Sequence, residues 1–251
     1  MRVASLYRYP IKGLSPHALT EAALTADDYF PGDRLYAIEN GPGGFDPAAP
    51  AHQPKIKFLM LMRNARLAAL SSHFDDASNA LTLSQNGEEL ARGDLSTQEG
   101  RERIAAFVAA YIGDDMRGAA RLLAAPNGFR FTDSKSGFVS LVNLASVAEI
   151  ERKIGRPVDP LRFRANIYLE GLEPWREHDM IGAALNVGDA RLEIIKTTDR
   201  CAATGVAPGV GERDMDIVQT LRSGWGHIDC GVYARVAAGG RICVGDALSA
   251  A

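Results

Sequence analysis

The sequence predicts a β-rich α/β protein in which short strands form a closed or strongly curved antiparallel sheet with a few helices around it. Short apolar segments recur along the chain and are separated by turn signals such as Gly32-Asp33, Gly188-Asp189 and Gly245-Asp246. Only three segments have helical periodicity. The chain has 251 residues and 46% hydrophobic content, which is enough for one large domain or two modest ones.

In the N-terminal half, the apolar segments predict strands near residues 3–9, 35–38, 57–62, 66–70 and 80–84. Residues 40–54 are rich in Gly and Pro and predict a long loop, which could border a substrate entrance. The first helix is predicted over 97–112, because Ser96 and Glu99 form a capping-box pattern and Gly113 supplies a stop. A soft domain boundary is expected near residue 118, dividing the chain into 1–118 and 119–251.

In the C-terminal half, a second helix is predicted from Asn143, a plausible N-cap, to Gly155. A third, short helix is predicted over 214–221, and a strand over 192–196. Residues 230–248 predict a hairpin that turns at Gly239-Gly240.

The predicted hairpin keeps two of the three cysteines apart. In its register Val236 faces Cys243, and Cys230 lies six residues further along its strand. Six residues span roughly 20 Å at about 3.3 Å each, whereas a disulfide needs Cα atoms within about 7 Å. Cys230 and Cys243 are therefore expected to be separate thiols buried among apolar residues.

Composition and charge exclude several classes of protein. The net charge of −3 and the pI of about 6.0 argue against a nucleic-acid partner. No apolar run approaches the roughly 20 residues of a membrane helix, and Arg8 interrupts the start before a secretory signal could form. A cytoplasmic location is the expectation. The five histidines form no metal-binding spacing.

Residues 161–170 are interpreted as a strand with an unusual polar face. Period-two alternation places Arg162, Arg164 and Asn166 on one side. Two guanidiniums this close repel each other unless an anion lies between them, and arginine presents a planar donor group that fits phosphate or carboxylate. An anion site and an exposed strand face with salt bridges to Asp or Glu are both compatible with the pattern.

Cys201 is a candidate functional thiol. It lies in a polar loop, 197–205, directly after a predicted strand, and Arg200 beside it is expected to favour the thiolate that attacks electrophiles and ligates metals. Lys12, after the first strand, and Arg34 are each typical of solvated charges. Together with the two arginines of 161–170 they could converge on one anionic ligand.

Several motifs occur in an order that resembles the MOSC-domain proteins, the family named after the C-terminal domain of molybdenum cofactor sulfurase. The motifs are Tyr9-Pro10-Ile11-Lys12, Gly32-Asp33-Arg34, Arg162-Phe163-Arg164-Ala165-Asn166-Ile167, Arg200-Cys201-Ala202-Ala203-Thr204, Gly231-Val232-Tyr233 and Val244-Gly245-Asp246. The resemblance covers nearly the whole chain. It includes the β-barrel extension that precedes MOSC in the mitochondrial amidoxime reducing component and its bacterial relatives.

This resemblance implies a MOSC-like β-barrel core with a few peripheral helices and an N-terminal β-barrel-type subdomain. It also implies a molybdenum cofactor (Mo-molybdopterin), with Cys201 as the metal ligand and catalytic residue. The cofactor-binding residues that it implies, together with the basic residues around them, are Lys12, Arg34, Arg162, Arg164, Asn166, Arg200 and Thr204. One departure is Gly13, which stands where relatives often have Ser.

The function that follows is an oxidoreductase that reduces N-hydroxylated or N-oxide small molecules. The chain shows neither the cysteine spacing of a plant-type ferredoxin nor a segment resembling the pyridoxal-phosphate domain of the sulfurase. Electrons are therefore expected from a separate donor of the ferredoxin, flavodoxin or flavin reductase type. The alternatives are a persulfide or cofactor carrier, and a barrel that has lost the cofactor and binds another ligand.

Overall fold

The computed structural model describes residues 1–41, 43–134 and 138–250. Its strands are β1 (Arg2–Arg8), β2 (His17–Leu19), β3 (Glu21–Leu24), β4 (Tyr36–Asn40), β5 (Ser71–Asp75), β6 (Ala80–Gln85), β7 (Glu88–Asp94), β8 (Ala120–Ala124), β9 (Val139–Asn143), β10 (Ile167–Glu170), β11 (Ala184–Val187), β12 (Ala190–Asp199), β13 (Asp229–Ala238), β14 (Gly240–Cys243) and β15 (Leu248–Ala250). Its α-helices are α1 (Gln98–Ile112), α2 (Leu144–Ile154) and α3 (Ile217–Trp225). Within this part of the chain, no helix is long and apolar enough to cross a membrane.

The larger unit is a β-barrel, as the sequence predicted. Eight strands form one sheet in the order β15-β11-β12-β13-β9-β10-β1-β2, and β3 pairs with β14 as a two-stranded ribbon. The ribbon continues both edges of the sheet, because β2 runs into β3 and β14 runs into β15. Buried side chains from the sheet and from the ribbon, among them Leu6, Leu24, Leu192 and Ile242, share one core. The ribbon therefore closes the sheet around that core.

The smaller unit consists of the β4–β8 pair, the β5–β6–β7 sheet and α1. Its core contains Ile104 and Val108 from α1 together with Leu81 and Leu83 from β6. The larger unit is built from both ends of the chain, because β1 pairs with β10 and β3 with β14, whereas β4 pairs with β8 within the smaller unit. The predicted division at residue 118 stays a prediction.

The predicted helices are present, with shifted starts for two of them. Thr97, not Ser96, caps α1, and its hydroxyl accepts the Gly100 N–H at 3.0 Å. Asn143 caps α2 as predicted. The third helix begins at Ile217 instead of 214, because Asp216 is its N-cap and accepts the Gln219 N–H at 2.9 Å.

The strands predicted at 57–62 and 66–70 are wrong. These residues lie in and beside two 3₁₀ turns, Lys55–Lys57 and Ala65–Ala69. Phe58, Leu59 and Met60 are consecutive and all buried. A short apolar run of this kind has no period of its own, so hydrophobicity alone does not distinguish a strand from an irregular buried segment.

The predicted hairpin around Gly239-Gly240 is also wrong. Strand β13 pairs with β12 and β9 on its two sides, so β14 pairs with β3 instead. A Cβ on Gly240 would lie 2.4 Å from the backbone of Asp189. The glycines therefore permit a close crossing of backbones. All three cysteines are free, as predicted, but Cys243 is partly exposed and not buried as expected.

Only the end of the predicted strand 161–170 is a strand. Pro160–Phe163 form a 3₁₀ turn in which the Asp159 side chain accepts the Leu161 N–H at 2.8 Å. Asp159 followed by Pro160 is a helix-start signal that the alternation argument overlooked. Arg164 then adopts a left-handed conformation with φ of 52°, so the two arginines do not share one strand face.

Candidate functional site

A cavity of about 220 Å³ lies where the end of β1, the approach to β10 and the end of β12 meet residues 60–62 of the smaller unit. It is lined by every residue predicted for the site: Lys12, Arg34, Arg162, Arg164, Asn166, Arg200, Cys201 and Thr204. Among the described lining residues, six are Lys or Arg and three are Asp, although the whole chain is acidic. The structure therefore brings the predicted residues together in a basic cavity; their binding roles remain predictions.

Lys12 is buried at the wall of the cavity and already has an anionic partner. Its Nζ donates to the Phe131 carbonyl oxygen at 2.9 Å and forms an ion pair with Asp133. Burial lowers the pKa of Lys12, although Asp133 opposes this shift. Burial also disfavours the charged form of Asp133, but Lys12 outweighs that effect and leaves the Asp133 pKa below its usual value. The pair is therefore largely neutral toward a ligand.

Arg34 and Arg164 lie close together against the buried ring of Tyr9. Their guanidinium carbons are 4.6 and 4.3 Å from the Tyr9 ring centroid, and Arg34 donates to the Arg164 carbonyl oxygen at 3.2 Å. Burial lowers the pKa of Arg34, but its ion pair with Asp33 outweighs burial and the net shift is upward. Arg34 is thus also neutralised by the protein.

Unlike Lys12, Arg34 and Arg162, Arg164 pairs with no carboxylate in the described part of the chain. It donates to the Leu14 carbonyl oxygen at 2.7 Å. Burial and the charge of Arg34 lower the pKa of Arg164 to about 10. At neutral pH this side chain is still a cation, and its charge is available to an anionic ligand in the cavity.

Arg162 makes a bidentate ion pair. Two of its guanidinium nitrogens donate to the two carboxylate oxygens of Asp214 at 2.8 Å each. Its side chain is only 4% exposed. The sequence allowed either salt bridges or an anion site for the two arginines. Arg162 forms the salt bridge, whereas Arg164 has the character of an anion site.

The Arg162–Asp214 pair predicts a pH-dependent contribution to stability. The hydrogen bond from Arg162 lowers the Asp214 pKa in the folded protein, so this stabilisation is present above the unfolded value of about 4 and is lost as pH falls toward the folded value. Asp214→Asn is expected to lower the free energy of unfolding by about 2 kcal/mol at pH 7 and by less at pH 3. Urea unfolding at the two pH values tests this; an equal loss at both would contradict it.

Asn166 lines the cavity, but its carboxamide joins three strands. The side-chain oxygen accepts the Ser140 N–H at 3.1 Å and the Ser140 hydroxyl at 3.0 Å, and the amide nitrogen donates to the Tyr7 carbonyl oxygen at 3.2 Å. Asn166 is 2% exposed. These contacts hold the ends of β1 and β9 beside the start of β10, so Asn166 shapes the cavity through the backbone.

Cys201 lies in a tight turn just after β12 and is partly exposed in the cavity. Its carbonyl oxygen accepts the Thr204 N–H at 3.1 Å and the Thr204 hydroxyl at 3.0 Å. Arg162 binds the carbonyl oxygen of Thr204 at 3.4 Å, and Arg213 binds that of Ala202 at 2.7 Å. The turn is held by its backbone, which leaves the thiol outside these contacts.

The hydrogen bonds of the Arg200 guanidinium go to backbone carbonyl groups, and its predicted effect on the Cys201 thiol stays a prediction. Its guanidinium donates to the carbonyl oxygens of Phe163, at 2.8 Å, and of Cys230. The group is buried and joins the 3₁₀ turn before β10 to β13. Its hydrogen bonds support the wall of the cavity through these carbonyl groups.

The three thiols are expected to differ in reactivity. Cys230 is fully buried, and burial raises its pKa to about 12, so it has almost no reactive thiolate at pH 8. Cys201 and Cys243 are partly exposed. Iodoacetamide should label the latter two in the folded protein and Cys230 only after unfolding, by a margin of at least roughly 100-fold. Peptide mass spectrometry measures this, and early labelling of Cys230 would contradict its burial.

Three of the other lining residues also have features that bear on the site. Thr198 lies in the strand before Cys201, is 3% exposed, and its hydroxyl has no hydrogen-bond partner among the described residues. Tyr233 lies on β13, and burial raises its pKa. Asp133 pairs with Lys12. None of them has a spacing signal in the sequence: Tyr233 reaches the site because β13 pairs with β12, and Asp133 because its loop folds against Lys12.

Other features singled out in the sequence lie elsewhere. The residues lining the cavity include Lys55 but none of 40–54, of which residue 42 lies outside the described residues. Trp175 packs against Trp225 and His227 away from the cavity. No group of three or more His, Cys, Asp or Glu side chains is placed to hold a metal within 1–41, 43–134 and 138–250.

Gly13, the departure from the resembled family, has a conformational reason. Its φ is 84°, and a Cβ there would lie 3.2 Å from the Leu59 carbonyl oxygen. The backbone therefore favours glycine at this position beside the cavity.

Comparison with protein families identifies two segments of the chain. Residues 1–123 match the model of the MOSC N-terminal beta barrel domain, and residues 129–249 match that of the MOSC domain. The chain belongs to the MOSC-domain family. Within this MOSC-domain protein, Lys12 and Arg34 come from the first matched segment and Cys201 from the second, so the cavity forms between the two.

Relatives of this MOSC-domain protein include two molybdenum cofactor sulfurases. That of Caenorhabditis elegans is 27% identical over 233 residues, covering 88% of this chain and 31% of the sulfurase. That of Caenorhabditis briggsae is 33% identical over 97 residues, covering 36% of this chain and 13% of the sulfurase. The chain thus spans less than a third of the length of either relative.

Among solved structures, the YuaD protein from Bacillus subtilis is similar with a TM-score of 0.45 and 12% identity, covering 98% of this chain and 93% of that one. YiiM from Geobacillus stearothermophilus has a TM-score of 0.36 and 21% identity, covering 47% of this chain and 56% of that one.

Proposed function

We propose that this chain binds the molybdenum cofactor and reduces N-hydroxylated or N-oxide small molecules, with electrons from a separate donor protein of the ferredoxin, flavodoxin or flavin reductase type. The observation that carries the proposal is that a single cavity contains a partly exposed thiol, Cys201, and a cation, Arg164, that pairs with no carboxylate among the described residues. A thiolate suits a soft metal centre, and a cation suits the phosphate of the pterin.

The polar atoms of the cavity fit such a ligand. Arg162 Nε and Thr198 Oγ1 are buried and have no hydrogen-bond partner within the described residues. A buried donor without an acceptor costs roughly 1–3 kcal/mol unless a ligand or water satisfies it. Oxygen atoms of an anionic ligand would satisfy the Arg162 donor and accept from Arg164.

In this proposal Cys201 ligates molybdenum, and Arg164 contributes the charge that holds the phosphate. Lys12 and Arg34 shape the basic wall, because their own charges are already paired with Asp133 and Asp33. When bound, the cofactor supplies two-electron oxygen-atom transfer chemistry. Thr204 and Arg200 hold the cysteine turn and the adjoining wall through backbone carbonyl groups.

The test starts with protein from a host that makes the cofactor. Near-stoichiometric molybdenum and pterin, together with turnover of an amidoxime or hydroxylamine by reduced viologen, would support the proposal. A folded, molybdenum-loaded sample that reduces none of these compounds would overturn the reductase activity.

A second candidate is a persulfide or cofactor carrier. It is favoured by the partly exposed Cys201 thiol and by relatives that are named as molybdenum cofactor sulfurases. A carrier should yield cyanide-releasable sulfur from Cys201, or transfer cofactor to an apo-enzyme. Failure of both assays would eliminate this alternative.

A further inference from the structure

An exposed group of arginines lies on the outer side of the cavity wall, where two segments of the chain meet. One segment, residues 61–69, contains Arg63 and Arg66. The other, residues 206–213, is a tight loop whose two ends form a β-bridge, and it contains Val210 and Arg213. All four side chains are exposed. We call these four residues the arginine patch.

Contacts between the two segments hold the arginine patch together. The Gly209 N–H donates to the Ala68 carbonyl oxygen at 2.8 Å. A Cβ on Gly211 would lie 3.2 Å from the Cα of Arg66, so the backbones of the two segments touch there. Val210 lies between these two glycines and therefore beside Arg66.

Arg213 connects the arginine patch to the wall of the cavity. It donates to the carbonyl oxygens of Leu61 at 3.0 Å and of Met62 at 2.5 Å, and both of these residues line the cavity. It also donates to the carbonyl oxygen of Ala202 at 2.7 Å, and Ala202 directly follows Cys201 in the chain. A protein bound at the patch would thus lie against the backbone next to the proposed metal ligand.

The charge of the arginine patch is opposite to that of the whole chain. Residues 61–69 and 206–213 together contain three arginines and one acidic residue, Glu212, which gives a net charge of +2. The whole chain carries −3, so the remainder carries −5. Such a distribution attracts an acidic protein to the patch and repels it elsewhere.

The three arginines are not neutralised by carboxylates within the described ranges. Arg213 donates to backbone oxygens, Arg66 lies 5.0 Å from the Tyr111 ring centroid, and Arg63 forms no ion pair. Val210 is 58% exposed, more than any other large hydrophobic side chain in this part of the protein. Arginine around an apolar centre is typical of protein–protein interfaces.

We infer that the arginine patch is the docking surface for the electron donor, and that this donor is an acidic redox protein of the ferredoxin or flavodoxin type. The inference rests on the proposed reductase function and names the surface and the charge of its separate donor. Electron-transfer contacts are small, burying less than about 1,200 Å², so a few side chains suffice. Two reduced donors each lose one electron in turn. These electrons and two protons convert the N–OH group of the substrate to N–H and one water.

The first test is the binding of an oxidised plant-type ferredoxin to the full chain at low ionic strength, measured by calorimetry without turnover. Arg63→Glu and Arg66→Glu should each weaken binding about tenfold, and added salt should weaken wild-type binding. Arg191→Glu is the matched control, because it makes the same charge change at an exposed arginine near the other end of β12 from Cys201. It should change the affinity by less than about twofold.

The second test separates docking from the proposed function. In molybdenum-loaded protein, Arg63→Glu should lower ferredoxin-driven reduction of an amidoxime about tenfold and leave reduction by the small dye viologen unchanged. Loaded protein that binds ferredoxin through the patch but reduces nothing with either donor would overturn the reductase function and not the binding at the patch.

Three results would overturn the inference itself. The first is equal weakening of ferredoxin binding by Arg63→Glu and Arg191→Glu. The second is no binding of either an acidic ferredoxin or an acidic flavodoxin at low ionic strength. The third is binding of vesicles that contain phosphatidylserine, lost in Arg63→Glu protein, without binding of either redox protein, which would make the patch a membrane contact.

Discussion

Replacement of Cys201 by alanine is expected to reduce the molybdenum content at least tenfold while the protein stays folded. The thiol is the soft ligand of the cavity in the proposed function. The turn around it is held by the Cys201 carbonyl oxygen, which accepts two hydrogen bonds from Thr204 that alanine would preserve. Elemental analysis of wild-type and variant protein from one cofactor-producing host measures the effect.

Cys243→Ala is the matched control for this variant, because Cys243 is also partly exposed but lies on β14, outside the cavity lining. It should retain wild-type molybdenum. Wild-type molybdenum in Cys201→Ala protein would contradict the role of Cys201 as the metal ligand. Loss of pterin together with the metal would indicate that the thiol helps to retain the whole cofactor.

The sequence predicted which residues line the cavity better than it predicted which of their charges are neutralised. The residue types of the sequence motifs already suggest an anion site and a metal ligand at Lys12, Arg34, Arg164 and Cys201. Their partners carry no such signal: Asp133 lies 121 residues after Lys12 and is brought to it by folding. Whether a cation is neutralised or available depends on such partners, and local spacing contains no information about them.

The errors in the predicted fold have the same origin. Gly239-Gly240 resembles a hairpin turn locally, but β13 already has a neighbour on each side. The alternation across Arg162 and Arg164 suggested a strand, but Asp159 and Pro160 start a 3₁₀ turn there. Tertiary pairing decided the first case, and an overlooked local start signal would have resolved the second.

Arg162 and Arg164 are expected to respond in opposite ways when each is replaced by methionine. Arg162→Met leaves the partly exposed Asp214 carboxylate without its bidentate partner, so the free energy of unfolding should fall by about 2 kcal/mol. Arg164→Met removes a cation whose pKa is lowered to about 10 by burial and by Arg34, despite its hydrogen bond to Leu14. Relief of that unfavourable charge should raise the free energy of unfolding of the cofactor-free protein by about 1 kcal/mol.

Pterin content should fall in Arg164→Met protein, although its free energy of unfolding should rise. Arg164→Met is expected to lower pterin content roughly tenfold, because it removes a cation that no described carboxylate neutralises and that the proposed function assigns to the phosphate. Urea unfolding of cofactor-free protein and pterin fluorescence after oxidation measure the two quantities on the same samples. A stabilised Arg164→Met protein that binds pterin normally would show that the charge serves something other than the cofactor, and a destabilised one would show that Arg164 is structural. A gain in stability accompanied by loss of pterin is the result expected of an arginine held in place for an anionic ligand, since burial and the neighbouring charge of Arg34 disfavour this cation in the cofactor-free protein.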